Sequence, residues 1–403
     1  LEHRAAALTA VVASLGHADT EAVASAPSLL SGLPPIEPCS EHAADPSAPV
    51  PWLGEHPDLE RRRIGAEIEM LLRPSEDTAE QLQALAEEAR GTGDRALLGR
   101  VQLSLGTARS SLVSHEAARD VLHQAVRTAE AAGDHETVTR ALRRLAIAYQ
   151  PLDAARFETL LERVAARLEH RPIDAVFSAG VSLSFAHVYA LTGRGTEAGR
   201  AARSARDTYA EALGPEHPRV AAAVLWIARH LHANGDFTGA REHYAEAARL
   251  RTASFGERHP LVLSVLENWG LLEMAAGDHA RAVEIDQRLL AGQRERFGPD
   301  APATLWAQAA LGGATMGTGE VEAGVALVDA ALAGLERSSG AGMTAHAELL
   351  YHVAHWLNDA GRTERARTVA TRAVAILEAS VKDGHPTLTR ARTYLRQLQQ
   401  ASP

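Results

Sequence analysis

The sequence predicts an all-α protein, a solenoid of stacked helical hairpins, on three observations. First, Gly193, Gly235, Gly277, Gly319 and Gly361 stand 42 residues apart without a slip. Second, Pro218, Pro260, Pro302 and Pro386 keep the same spacing, with Thr344 in the remaining place. Third, small residues keep time with both ladders: Ala198, Ala240, Ala282, Gly324 and Ala366 follow the glycines by five, and Ala186, Ala228, Gly270, Gly312 and Ala354 precede them by seven. A fixed period of this size marks supersecondary units that bury their cores against neighbours.

Each element follows from its punctuation. Proline has a helix-compatible φ and no N–H to lose in a first turn, so each proline opens a helix. About 17 residues on, glycine accepts φ > 0 and ends it. Asp236 and Asp278, directly after two glycines, suit the N-cap of a second helix. The small residues fit where antiparallel helices cross closely, and Ile227, Trp269, Leu311 and Val353 should fill the space between hairpins.

In the first half the plan weakens. Gly93-Asp94 and Gly133-Asp134 lie among Ala/Leu/Glu/Arg-rich segments that predict helices over about 58–73, 76–90, 95–110, 115–132, 135–149 and 153–169. Leu142, Leu145, Ala146 and Tyr149 have the spacing of one buried face. Ahead of these, residues 1–15 fit a helix, while Leu33-Pro34-Pro35-Ile36-Glu37-Pro38-Cys39 with Pro46, Pro49 and Pro51 cannot continue one. The expected organisation is an N-terminal helix and Pro-rich linker over 1–57, degenerate repeats over 58–171, and regular repeats with a capping helix over 172–400. The opening Leu1 suggests that the natural chain starts further upstream.

At these positions the sequence resembles the tetratricopeptide repeat. Leu213-Gly214 and Phe255-Gly256 before His217-Pro218 and His259-Pro260, with the Gly-Asp turns, resemble the kinesin-light-chain type over roughly 172–400. The resemblance implies a right-handed superhelix whose first helices line a concave face. The family's paired asparagines are replaced by Leu225-Trp226, Glu267-Asn268, Ala309-Ala310 and Tyr351-His352, so its peptide preference does not transfer. The segment Leu1-Glu2-His3-Arg4 through Cys39-Ser40 is similar to the connector between kinase and repeat regions in large bacterial, notably myxobacterial, serine/threonine kinases. That implies a possible kinase domain in the same polypeptide. The competing expectation is the repeat sensor region of an ATPase-type bacterial transcriptional regulator.

Charge and chemistry narrow the function. A formal net charge of −10 gives no electrostatic reason to expect nucleic acid. Arg61-Arg62-Arg63 reads as a solvated helix face. Cys39 is the only cysteine, which excludes an intramolecular disulfide framework. No apolar run approaches the roughly 20 residues of a membrane span, and a cytoplasmic protein is expected. Lys382 is the only lysine and lies outside any phosphate-binding motif, so no kinase or P-loop chemistry is expected of this stretch. His352 and His355 are one turn apart but lack a metal-site partner motif, and His217, His259 and His385 read as turn residues. No cofactor and no metal are expected.

A non-catalytic interaction scaffold is therefore the predicted class, binding a peptide or protein on its concave face. The positions expected there include His187, Trp226, Arg229, His232, Asn268, Trp306, Tyr351, His355 and Asn358, with Ser184, Leu225, Glu267 and Leu271. Aromatic and arginine side chains give large contact area with few rotors to freeze. Trp269 aligns with a core position and is expected to be structural.

Overall fold

The structure is a computed structural model that describes residues 55–72, 75–112, 115–149, 153–339, 344–381 and 386–400. The expected N-terminal helix, most of the linker, Cys39, Lys382 and His385 lie outside the described residues. Seventeen helices and no strand occur among the described residues. Two compact units divide between His230 and Leu231.

The first unit holds α1 (Pro57–Leu72), α2 (Glu76–Thr92), α3 (Arg95–Leu112), α4 (His115–Ala132), α5 (His135–Tyr149), α6 (Ala154–His170), α7 (Ala175–Leu191), α8 (Gly195–Leu213) and most of α9 (Pro218–Ala233). The predicted spans agree to within two residues wherever both ends are described. Starts are set by side-chain caps: Ser75, Asp153 and Asp174 accept from the backbone N–H three residues on. α3 packs most extensively on α4, and α7 on α8. Odd-numbered helices also touch along one side, α1 with α3 and α3 with α5, which makes them the first helices of their hairpins.

That parity corrects one detail. Gly235-Asp236 joins a first helix to a second, but Gly93-Asp94 and Gly133-Asp134 precede α3 and α5, and so join hairpins. The same dipeptide serves both junctions because its chemistry is local: Gly93 and Gly133 have φ of 79° and 70°, and Asp94 and Asp134 accept from Leu97 and Thr137 N–H. The unit's core gathers Leu122, Leu142, Leu145, Phe157, Leu161 and Val181. Full burial of each such side chain contributes about 1.5–3 kcal/mol.

The second unit holds α10 (Phe237–Phe255), α11 (Pro260–Ala275), α12 (His279–Phe297), α13 (Pro302–Gly317), α14 (Val321–Ser339), α15 (Thr344–Asp359), α16 (Thr363–Ser380) and α17 (Pro386–Gln400). The 42-residue glycines all have positive φ, from 75° to 99°. At Gly277 the N–H bonds Met274 and the Asp278 N–H reaches back to Glu273, closing the helix end with paired reverse bonds. Asp278 then caps α12 by accepting from Arg281 N–H. His259 is more than a turn residue, since its Nδ1 accepts from Leu261 N–H as an N-cap.

Crossing positions are as small as the ladder demands: Ala186, Ala198, Ala228, Ala240, Ala282, Ala354 and Ala366 are buried. Gly312 and Gly324 are a matched pair, because a Cβ on Gly312 would sit 2.7 Å from the Gly324 carbonyl and one on Gly324 would press on the Gly312 carbonyl. At this crossing both residues are glycine, and α13 and α14 close the gap. Trp269 is structural as expected: its Nε1 donates to Glu273 (2.8 Å), which is fully buried and held by Arg241 and Arg281.

Candidate binding surface on the first helices

In the first unit, helices α7 and α9 bring three of the expected residues together. His187 and Trp226 lie 4.7 Å apart between ring centroids, and the Arg229 guanidinium stands 4.8 Å over the Trp226 ring. Phe157 closes the row edge-on to His187 at 6.1 Å. Arg229 is exposed and the two rings are half-buried. Burial, followed by the Arg229 charge, pushes the His187 imidazole down to about 4. It therefore presents a neutral ring at physiological pH.

Ser184 and Leu225, expected on this face, are buried instead. The Ser184 hydroxyl donates to the Gly180 carbonyl (3.0 Å) within its own helix. Their neighbours in the helical repeat, one step round, hold the open positions.

The second unit disperses the remaining candidates. His232 is edge-on to Phe237 at 6.1 Å across the hairpin turn. Asn268 spends its amide on the Ser264 carbonyl (2.7 Å), and the Asn358 carbonyl oxygen accepts from Thr363 Oγ1 (3.1 Å) at the next helix start. Trp306 packs against the core and meets His352 edge-on at 6.5 Å. Leu271 also packs on that core, and Glu267 is half-buried.

Tyr351 and His355 do converge, and α17 completes their setting. Their ring centroids lie 4.7 Å apart, and Tyr394 stacks on His355 at 3.5 Å with 15° between planes. A cavity of about 250 Å³ opens here, lined by Tyr351, His355, Thr389, Arg390, Thr393, Tyr394 and Gln397. Burial lowers the His355 pKa, partly offset by Asp359. Burial pushes His352 down to about 4, with the His355 and Arg390 charges adding to it. Among the described residues no group of three or more His, Cys, Asp or Glu side chains is placed to hold a metal ion, and no helix is long and apolar enough to cross a membrane.

Sequence reasoning missed Tyr394, because α17 lies beyond the glycine ladder and its pairing with α15 is a tertiary fact. It also missed Asp286, buried on α12 at the site where other repeats carry Ala202, Tyr244, Val328 and Ala370. That break in the column was visible, but its burial was not.

The comparisons agree with this architecture. A tetratricopeptide repeat profile matches residues 227–261, from α9 to the start of α11. No curated protein matches significantly. Among solved structures, BtubC (BKLC) from P. vanneervenii is similar at 24% identity, covering 57% of this chain and 93% of that one with a TM-score of 0.50. A Rap protein complexed with Competence and Sporulation Factor covers 85% of this chain and 98% of its own at 12% identity, TM-score 0.53. The apo quorum sensor NprR from B. thuringiensis covers 85% and 100% at 14% identity, TM-score 0.53. At such identities the likeness defines the fold class: an all-helical, tetratricopeptide-like repeat scaffold.

Proposed function

We propose that the chain is a non-catalytic scaffold whose first-helix face binds a peptide or protein partner. The observation that carries this reading is the Arg229–Trp226–His187 row, an exposed guanidinium above two half-buried rings on adjacent first helices, backed by the buried Phe157 of α6. A helix face that needed only solubility would carry flexible charges. This one holds a rigid aromatic strip with a directed donor, the composition of interface anchors. An extended or helical peptide suits such a strip. The similar Rap protein was solved with a bound factor, and NprR is described as a quorum sensor, which supports recognition as a use of this fold. The N-terminal segment's similarity to kinase connectors suggests that the scaffold recruits substrates or senses signals for a kinase domain in the same polypeptide.

Purified protein screened against a peptide library, followed by calorimetry on the best binder, tests this directly. Trp226→Ala and Arg229→Ala are expected to weaken binding by about 1–3 kcal/mol each. Unchanged affinity in both would remove the row from the binding surface.

A further inference from the structure

Helix α17, which closes the second unit, packs on α16 through Leu388 and Ala391 and on α15 through Tyr394 and Leu398. On the α15 side it meets two histidines. His352 and His355 stand where α11 has Asn268 and Leu271 and α13 has Ala310 and Gly313. Tyr394 stacks on His355 with 3.5 Å between ring centroids, Tyr351 is edge-on to both, and the Tyr394 hydroxyl donates to the Ala354 carbonyl at 3.4 Å. His352 stacks on Trp356 at 5.9 Å and meets Trp306 of α13 edge-on. His355 Nε2 is buried with no hydrogen-bond partner. Both rings thus sit among aromatic faces, a setting for neutral imidazole.

The charges around these rings are one-sided. α13 has no ionisable side chain, and α17 has Arg390, Arg392 and Arg396 but no carboxylate. Arg392 is paired with Glu378 of α16 at 2.7 Å, whereas Arg390 lines the same cavity as His355 and has no ion pair among the described residues. The charges that act on the two rings are their own and that of Arg390, opposed by Asp359, one turn beyond His355 on α15. Glu348, one turn before His352, is exposed. Burial, then Asp359 and Tyr351, push the Tyr394 hydroxyl up to about 12, so it stays neutral. A proton on either imidazole therefore meets a like charge across the contact between α15 and α17, with a single carboxylate to offset it.

We propose that His352, His355 and Arg390 make α17 an acid-releasable cap, whose Tyr394 side leaves α15 on protonation and uncovers Val353 and Leu357. The device is independent of whatever the Trp226 row binds. Burial is the larger cause of the lowered pKa in both rings, and it takes His352 to about 4. Rings returned to water take up protons from about 6.5 downward. The docked helix therefore loses stability as pH falls from about 6.5 towards 4. A terminal helix opens at lower cost than the whole unit, so the loss appears there first. Asp286, which burial and Glu267 push up to about 7, acts with the opposite sign and cannot mimic it.

Hydrogen exchange read by mass spectrometry on the full chain at pH 7 and pH 5, corrected for the intrinsic pH dependence of exchange, tests the cap. Opening of α17 is expected to rise by about tenfold or more at pH 5 in the unaltered protein, with α3 to α5 unchanged as the internal reference. With His352→Gln and His355→Gln together, the rise is expected to fall below about threefold. Arg390→Gln, which removes the like charge and leaves both rings, should give a smaller rise than the unaltered protein. The exposed control His170→Gln should give the same rise. Should the double variant fail to fold, Arg390→Gln decides by itself. An α17 that opens equally at both pH values in the unaltered protein overturns the cap. So does an acid response that persists in full in the histidine variant or in Arg390→Gln, and so does uniform acceleration through both units.

Discussion

Asp286 sits in α12 with 2% of its surface exposed, its carboxyl against Gly270 and within the field of Glu267. Burial, then Glu267, pushes it up to about 7 from 3.8. The native state therefore holds this proton more tightly than the unfolded chain, and the resulting cost grows as pH rises from about 4 to 7. Asp286→Asn is expected to flatten that slope and to gain on the order of 2–4 kcal/mol at pH 8 in urea unfolding; an unchanged slope would refute the assignment. His187 carries the opposite sign. Its folded value of about 4 lies below 6.5, so protonation favours unfolding and stability is lost as pH falls through that window. In Arg229→Ala the His187 titration followed by NMR should move upward but stay below 6.5, because burial, the larger cause, remains. Neither shift was legible in the sequence, where both residues are ordinary polar positions on helices.

Helices and turns, by contrast, were almost wholly legible. Proline, glycine and Asp after glycine act through their own backbone and nearest neighbours, so their meaning survives without tertiary context. Gly277 at φ 77° illustrates the cost of ignoring this: Gly277→Ala is expected to lose about 1–2 kcal/mol by chemical denaturation. Gly312 and Gly324 belong to a different class, since their constraint lies between helices. Gly324→Ala should lose about 1–3 kcal/mol from overpacking against the Gly312 carbonyl. A loss no larger than at an exposed helical site would mean the two backbones do not approach so closely. The spacing disclosed that small residues belong at both positions; only the helix crossing explains why alanine does not suffice there.

Taken over the molecule, stability in such repeats is nearly a sum of hairpin and neighbour terms, and the ends carry disproportionate risk. In the second unit, α17 covers the last hairpin with Leu388, Ala391, Tyr394 and Leu398, all buried. A chain ending at Val381 exposes Leu350, Val353 and Leu377 to water. Hydrogen exchange in α15 and α16 is then expected to accelerate by about tenfold or more, with little change in the first unit. Protection that persisted would show the cap to be dispensable. The candidate surface was only partly foreseeable at this scale. His187, Trp226 and Arg229 follow from the repeat register, whereas Tyr394 meets His355 through packing between elements far apart in the chain.

By itself the sequence determined the class of structure, the helix boundaries, the turn chemistry and the small residues at the crossings, because each rests on local backbone physics repeated every 42 residues. The tertiary structure alone decided which side chains face outward together. It also decided which charges lie buried beside a like charge or without a counter-ion, because burial and charge pairing depend on neighbours that no spacing within a single helix can reveal.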